Sequence, residues 1–159
     1  MQGEFNQRIN DEMYSWYLYL SMAAHFEGQN LRGFAQWMRL QAQEEMAHAM
    51  KNYAYLLDRG GRVALKPIDA VPGEWDSPLA AFEAAYAHEQ KITAIYDAFM
   101  DTAAREKDKA AQIFLQWFVS EQVEEEASAS EWVEKLRRAQ DAPGAMFMLD
   151  REAGTRPAA

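Results

Sequence analysis

Cysteine is absent from the chain, which excludes disulfides, thiolate zinc sites and cysteine-held iron–sulfur clusters and leaves oxygen and imidazole as the available metal ligands. Basic residues are scarce. With 16 Lys and Arg against 25 Asp and Glu, the net charge of −9 argues against sequence-independent binding of DNA or RNA, which relies on cations facing phosphates. Metal cations are the more natural partners. No stretch approaches the roughly 18 apolar residues of a membrane span. The start, Met1, Gln2, Gly3, Glu4 and Phe5, has neither the basic region nor the apolar run of a signal peptide. These features predict a cytoplasmic protein with no membrane and no nucleic-acid partner. At 159 residues, one domain over 1–159 is the expected organisation.

Apolar residues recur at alternating steps of four and three in four long segments, the spacing of a helix with one buried face. The first reads Phe5, Ile9, Glu12, Trp16, Tyr19, Ala23, Phe26, and the second Phe34, Met38, Gln41, Glu45, His48, Asn52, Tyr55, with Leu40, Leu56 and Leu57 widening its buried face. Ser77, a good N-cap, and Pro78 open the third, which reads Leu79, Phe82, Tyr86, Glu89, Thr93, Tyr96, Met100. The fourth reads Ala111, Leu115, Phe118, Gln122, Glu125, Ala129, Trp132, Leu136. These patterns predict an all-α fold, with helices at about 4–28, 31–59, 77–105 and 108–139 and a short helix at about 144–153. The turns after Gly28 and around Lys107 are short, so the first and second helices, and the third and fourth, should pack antiparallel. Residues 60–76 carry Gly60, Gly61, Pro67, Pro72 and Gly73 and can extend roughly 50 Å, the length of a bundle. The expected architecture is a four-helix bundle with a long crossover between helices 2 and 3.

Each seam is interrupted by carboxylates or their partners near mid-helix: Glu12, Glu45 with His48, Glu89, and Gln122 with Glu125. A buried carboxylate without compensation costs several kcal/mol, so acids converging at one level call for cations to hold them. Glu45 and His48 stand three residues apart, roughly 4.5 Å along the axis and on one face, so both can touch one metal. A lone Glu-x-x-His is a weak signal. Its weight comes from Gln122 and Glu125, a second pair at the same spacing, and from one acid on each remaining helix. A Glu from each of two helices plus a Glu-x-x-His pair from the other two is the ligand recipe of dinuclear carboxylate bundles. The last pair departs from it, having Gln and Glu, so the two metal positions should be unequal. Four carboxylates balance two ferrous ions, and oxygen-rich, His-poor ligation suits iron or manganese better than zinc or copper. Gln41 and Asn52 are most simply hydrogen-bond partners behind the ligands or polar residues of the bundle end. His25 and His88 lack acidic company and are expected to be structural or exposed.

Residues 40–48, residues 86–93 with His88, Glu89 and Gln90, and above all residues 114–126 (Phe-Leu-Gln-Trp-Phe-Val-Ser-Glu-Gln-Val-Glu-Glu-Glu) make the chain resemble the non-haem bacterial and archaeal ferritins. Glu12, Met13, Tyr14 and Ser15 are similar to that family's first-helix motif, and residues 141–152 to its short fifth helix. The resemblance implies a ferroxidase that stores iron. Glu12, Glu45 and His48 would hold one iron, and Glu45, Glu89 and Glu125 the second, with Gln122 beside them and Glu45 bridging. Glu44, Glu121 and Glu124 would form a third, transit site facing the interior. Tyr19 matches a tyrosine thought to assist oxygen reduction, the alternative being ordinary packing with its hydroxyl bonded to a ligand carboxylate, and Trp117 matches a nearby aromatic. Dioxygen or peroxide would oxidise Fe(II) to Fe(III), which mineralises in the cavity of a homo-oligomeric shell of 24 chains. Haem-carrying bacterioferritins are less similar, because they use Glu then His in the last pair.

Rival readings are a rubrerythrin-like di-iron oxidase or peroxidase without mineral storage, a DNA-protecting miniature ferritin and a metal-free bundle. The first usually carries a cysteine-based electron relay, and the second a basic tail; this chain has neither. Glu126 reads as a surface acid. The run Ala145, Met146, Phe147, Met148, Leu149 either folds back on its own bundle end or forms a helix buried between subunits, where the resemblance places it around fourfold axes.

Overall fold

Three helices of the chain stop on one and the same local device. Asn30, Gly60 and Lys107 adopt left-handed backbone angles, with φ of 58°, 72° and 58°. In each case the next amide reaches back five residues: Leu31 to the Phe26 carbonyl at 3.0 Å, Gly61 to Leu56 at 2.9 Å, and Asp108 to Ala103 at 2.9 Å. The left-handed residue itself donates three residues back, so the final carbonyls of the helix are satisfied at both positions. The computed structural model describes residues 1–158; Ala159, the last residue of the expected domain, lies outside the described residues. The elements are α1 (Gln2–Gly28), α2 (Arg32–Asp58), α3 (Pro78–Arg105), α4 (Lys109–Ala139) and the short α5 (Pro143–Ala153). α1 starts two residues earlier than the apolar periodicity indicates, because the seam marks only the buried face and not the exposed first turn. Among the described residues no helix is long and apolar enough to cross a membrane.

The chain divides into two compact units. The first contains α1, α2, the connection after α2, and α5. α1 and α2 run antiparallel: Phe5 packs on Tyr55 at 4.9 Å between ring centroids at one end, and Phe26 on Phe34 at 5.4 Å at the other. The connection, residues 60–76, is held along the outside of α1. Asn6 donates to the Arg62 carbonyl at 2.9 Å and accepts from the Ala64 amide at 2.7 Å. Asn10 donates to the Pro67 carbonyl at 3.0 Å and Ser21 to the Pro72 carbonyl at 2.6 Å. Trp75 ends the run with its ring edge-on to His25 at 5.3 Å. The segment thus climbs α1 from Gln2 to His25, about 35 Å at 1.5 Å per residue.

α5 sits on the start of α2. Leu31 offers no side-chain cap to α2, and the missing acceptor comes from Asp150, whose Oδ1 takes the Phe34 N–H at 2.9 Å. The approach is possible only because residue 33 is glycine: a Cβ there would lie 1.6 Å from the Asp150 carbonyl oxygen. Ala153 is fully buried, while Phe147 and Met148 stay 65 % and 71 % exposed, so α5 docks on its own chain and still leaves an apolar edge outward.

The second unit is the α3–α4 hairpin. Ser77 Oγ accepts the Ala80 N–H at 3.0 Å with Pro78 in the first turn, and Asp108 Oδ1 accepts the Ala111 N–H at 3.0 Å, so both helices begin on side-chain caps. Phe82 packs on Trp132 at 5.7 Å and Tyr96 stacks on Phe118 at 4.6 Å, which sets the antiparallel register. The seam expected for α4 is buried at every position from Ala111 to Leu136. Six positions elsewhere are less buried than the spacing predicts. Leu57 is 47 % exposed, because it follows buried Leu56 and one residue turns the helix by about 100°. Trp16 is only half-buried, because Ser15 and Met22 carry the α1 seam between Glu12, Tyr19 and Phe26. Tyr55, Tyr86, Thr93 and Met100 are also half-buried, at the flanks of their seams.

Of the three left-handed positions, Lys107 alone carries neither glycine nor asparagine, the residues that tolerate this conformation. Lys107→Gly should therefore stabilise the protein by about 0.5–1 kcal/mol after the entropic loss of glycine is deducted. Thermal unfolding should show a midpoint higher by roughly 2 °C; an unchanged or lower midpoint would mean that Lys107 earns its place through contacts of its side chain.

Candidate metal centre

The α1–α2 hairpin brings Glu12, Glu45 and His48 together, with ligand atoms all within 4.8 Å of one another. Each residue is buried, at 1 %, 2 % and 5 % exposure. Glu12 reaches in from α1, while Glu45 and His48 project one turn apart from α2. Glu45 is oriented from both ends. Its Oε1 accepts from Gln41 Nε2 at 3.2 Å, and its Oε2 lies 3.5 Å from His48 Nδ1. Asn52 Nδ2 donates to the His48 carbonyl at 3.1 Å, one turn further along α2. Ligands bound at 2.0–2.2 Å to one ion stand at most about 4.4 Å apart, so the three close on a cation with adjustments of a few tenths of an ångström. Two carboxylates and an imidazole are also a chemically suitable donor set for ferrous iron.

The α3–α4 hairpin buries Glu89, Gln122 and Glu125, at 1 %, 2 % and 7 % exposure. Gln122 spends its amide protons on α3: Nε2 lies 3.1 Å from Glu89 Oε2, 3.3 Å from the Glu89 carbonyl and 3.4 Å from Thr93 Oγ1. Thr93 in turn donates to the Glu89 carbonyl at 3.0 Å. Gln122 therefore orients Glu89 and keeps it a hydrogen-bond acceptor, the task a hydrogen-bonding neighbour performs beside a metal ligand.

Of the other expected site residues, Tyr19 is buried at 1 % exposure on the α1 seam, two turns from Glu12. Glu44 and Glu121 are half-buried and Glu124 is exposed. Glu44 is engaged by a cation of the chain itself, with Arg156 Nη2 2.5 Å from its Oε2. Trp117 is 38 % exposed and meets Phe118 edge-on at 4.9 Å. Glu126 is half-buried. His88 has its pKa lowered to about 4, by burial first and by the charge of Lys91 second, so the ring is neutral. His25 is a structural residue, between Gln29 at 3.2 Å and the Trp75 ring. Sequence periodicity missed Arg156 and Asp150 altogether. They lie in and after a short helix whose exposed apolar residues carry no seam, and the shortage of basic residues is the sole hint that a tail arginine has acidic company.

The ferritin-like domain family matches residues 3–139. The chain is 47 % identical over 156 residues to a bacterial non-heme ferritin of Bacteroides fragilis, covering 98 % of this chain and 97 % of that one. It is 34 % identical over 151 residues to one of Staphylococcus aureus, covering 95 % and 91 %. Among solved structures it resembles the ferritin of the archaeon Archaeoglobus fulgidus. A form of that protein engineered to be closed superposes with a TM-score of 0.99 at 50 % identity, over 100 % of this chain and 97 % of that one. The open-pore form superposes with a TM-score of 0.98 at 50 % identity, over 99 % and 97 %. The buried acids on long antiparallel helices, the crossover that climbs α1 and the short α5 are thus those of an iron-storing four-helix bundle, and the chain belongs to the ferritin family.

Proposed function

We propose that the chain is a ferroxidase that oxidises Fe(II) at a dinuclear centre within one subunit and deposits Fe(III) inside a homo-oligomeric shell. The observation that carries this reading is the buried convergence of Glu12, Glu45 and His48. In this reading they hold the first ferrous ion. Glu45, Glu89 and Glu125 hold the second, with Glu45 bridging and Gln122 keeping Glu89 in place. Burial of Glu89 and Glu125 and the Gln122–Glu89 hydrogen bond support the second set. Two ferrous ions give up one electron each, and dioxygen accepts both with two protons to leave hydrogen peroxide; with peroxide as oxidant, two electrons and two protons leave two waters. The four carboxylates suit a charge that rises on oxidation, since anionic oxygen ligands bind Fe(III) more strongly than Fe(II). Tyr19 is the nearby phenol proposed to assist oxygen reduction. Glu44, Glu121 and Glu124 are proposed as the transit site toward the mineral, where iron at Glu44 has to take the carboxylate from Arg156.

The shell is proposed to contain 24 chains in a cytoplasmic setting. Relatives described as open-pore and closed ferritins and the outward apolar edge of α5 at Phe147 and Met148 support an assembly. Mass by size exclusion together with iron content on the same sample tests it. After anaerobic Fe(II) loading and admission of air, a store takes up far more iron than two per chain. Uptake that halts at two per chain would favour the rubrerythrin-like oxidase instead.

Three variants divide the roles. Glu45→Ala should lower the initial oxidation rate by more than the about 10–100-fold that follows loss of a hydrogen bond behind a metal ligand, with assembly intact. The rise in melting temperature that Fe(II) produces anaerobically should vanish in this variant. Oxidation by Glu45→Ala at the parent rate would refute the ligand assignment. Glu124→Gln should keep the first fast oxidation and slow repeated turnovers; equal slowing of both would place Glu124 in the dinuclear centre. Tyr19→Phe should bind two Fe(II) per chain as the parent does and oxidise them more slowly, and unaltered oxidation would leave Tyr19 as a packing residue.

A further inference from the structure

We propose that Arg156, in the tail after α5, is a positioning residue for the first iron site, acting through Gln41 on Glu45. The proposal rests on the reading of Glu45 as an iron ligand. Arg156 itself lies outside the cluster of Glu12, Glu45 and His48.

The seat of α5 delivers the guanidinium to its place. Gly33 lets the Asp150 backbone touch α2, Asp150 caps the Phe34 amide, and Ala153 is buried, so the residues after Ala153 emerge against one face of α2. Trp37, Gln41 and Glu44 lie on that face, spaced by four and three residues. The Arg156 guanidinium covers the Trp37 ring at 4.6 Å from its centroid. Nη1 donates to Gln41 Oε1 at 2.9 Å and to the Trp37 carbonyl at 3.3 Å, and Nη2 to Glu44 Oε2 at 2.5 Å. The ion pair is largely shielded, with Arg156 and Glu44 side chains 18 % and 23 % exposed, so its geometry is better held than that of a fully solvated pair.

The consequence follows from donor and acceptor counting. Guanidinium has only donors, whereas an amide has one oxygen acceptor and one nitrogen donor. Arg156 therefore demands the oxygen of Gln41, which turns Nε2 to the other side, onto Glu45 Oε1 at 3.2 Å. An amide turned the other way would set oxygen against carboxylate. With Oε1 so engaged, Oε2 is the oxygen directed toward His48. Arg156 thus decides which way a fully buried amide faces, and that amide holds one oxygen of the Glu45 carboxylate, which fixes the carboxylate plane and leaves the other oxygen beside the imidazole before iron arrives. Ordering a ligand in advance removes an entropic cost from binding, and loss of such a supporting bond lowers metal affinity by about 10–100-fold.

The probe is Co(II), titrated anaerobically into the assembled full-length protein and followed by calorimetry and by its visible d–d absorption. Arg156→Met keeps an apolar stem on Trp37 and loses every donor. It should weaken the tighter Co(II) site at least about tenfold and alter the absorption bands. Gln41→Leu, which leaves Arg156 its contacts with Trp37 and Glu44, should do the same, and the double variant should be no weaker than Gln41→Leu alone. Arg156→Lys, with one compact head in place of a fork, should recover only part of the affinity. Parent-like affinity and bands in either single variant, or losses that add in the double variant, would overturn the proposal. Should Arg156→Met fail to assemble, Gln41→Leu still decides. A parent protein that binds no Co(II) would instead overturn the metal-centre reading on which this one stands.

Discussion

The constraint on which the structure depends is the burial of carboxylates inside helix pairs. Glu12, Glu45 and Glu89 are almost wholly removed from water, and Glu125 nearly so. Desolvation of each costs several kcal/mol in the absence of compensation, comparable with what burial of a large apolar side chain such as Phe26 or Phe118 returns. The surrounding helices are therefore rich in fully buried aromatics, and the acids are held by neighbours such as Gln41, His48 and Gln122. A protein selected for stability alone would place leucine at these positions. Acids kept at these positions suit the cation-binding role proposed for them.

The remaining structure serves to hold these acids in register. Repeated left-handed stops at Asn30, Gly60 and Lys107 end α1, α2 and α3 within one residue of a defined place, and Ser77 and Asp108 fix where α3 and α4 begin. An error of one residue at any end would rotate the facing seam by about 100° and carry its acid out of the pair. α2 borrows its cap from Asp150, so the helix bearing Glu45 and His48 is tied at its origin to the last helix of the chain.

The acids were legible because helical periodicity assigns a face to every residue, and an acid on an apolar face stands out. Glu12, Glu45, His48, Glu89, Gln122 and Glu125 all occupy buried positions on the seams that the spacing marks. Periodicity failed where the buried face is broader or narrower than one stripe, as at Leu57 and Trp16, since neighbouring apolar residues compete and the pattern cannot say which turns inward. It also gave no access to contacts made by segments without a repeat. Arg156 follows a helix break and touches α2 more than a hundred positions earlier, as its 115-residue separation from Gln41 shows. The capping role of Asp150 was hidden for the same reason. Gly33 was no better a clue, since Gly3, Gly28 and Gly144 also lie in helices and face open space.

The connection that climbs α1 bears on how the chain reaches this state. Free, a linker of that length would wander, and its closure would cost entropy that grows with the logarithm of its length. Here the carbonyls of Arg62, Pro67 and Pro72 are taken in sequence by Asn6, Asn10 and Ser21, and Trp75 comes to rest on His25. Once α1 and α2 have paired, a nascent chain can lay this strip down in steps, each short loop closing on the one before. Pinned in this way, the strip closes as a series of short loops instead of one long one, so the entropic cost of the crossover is met in small increments.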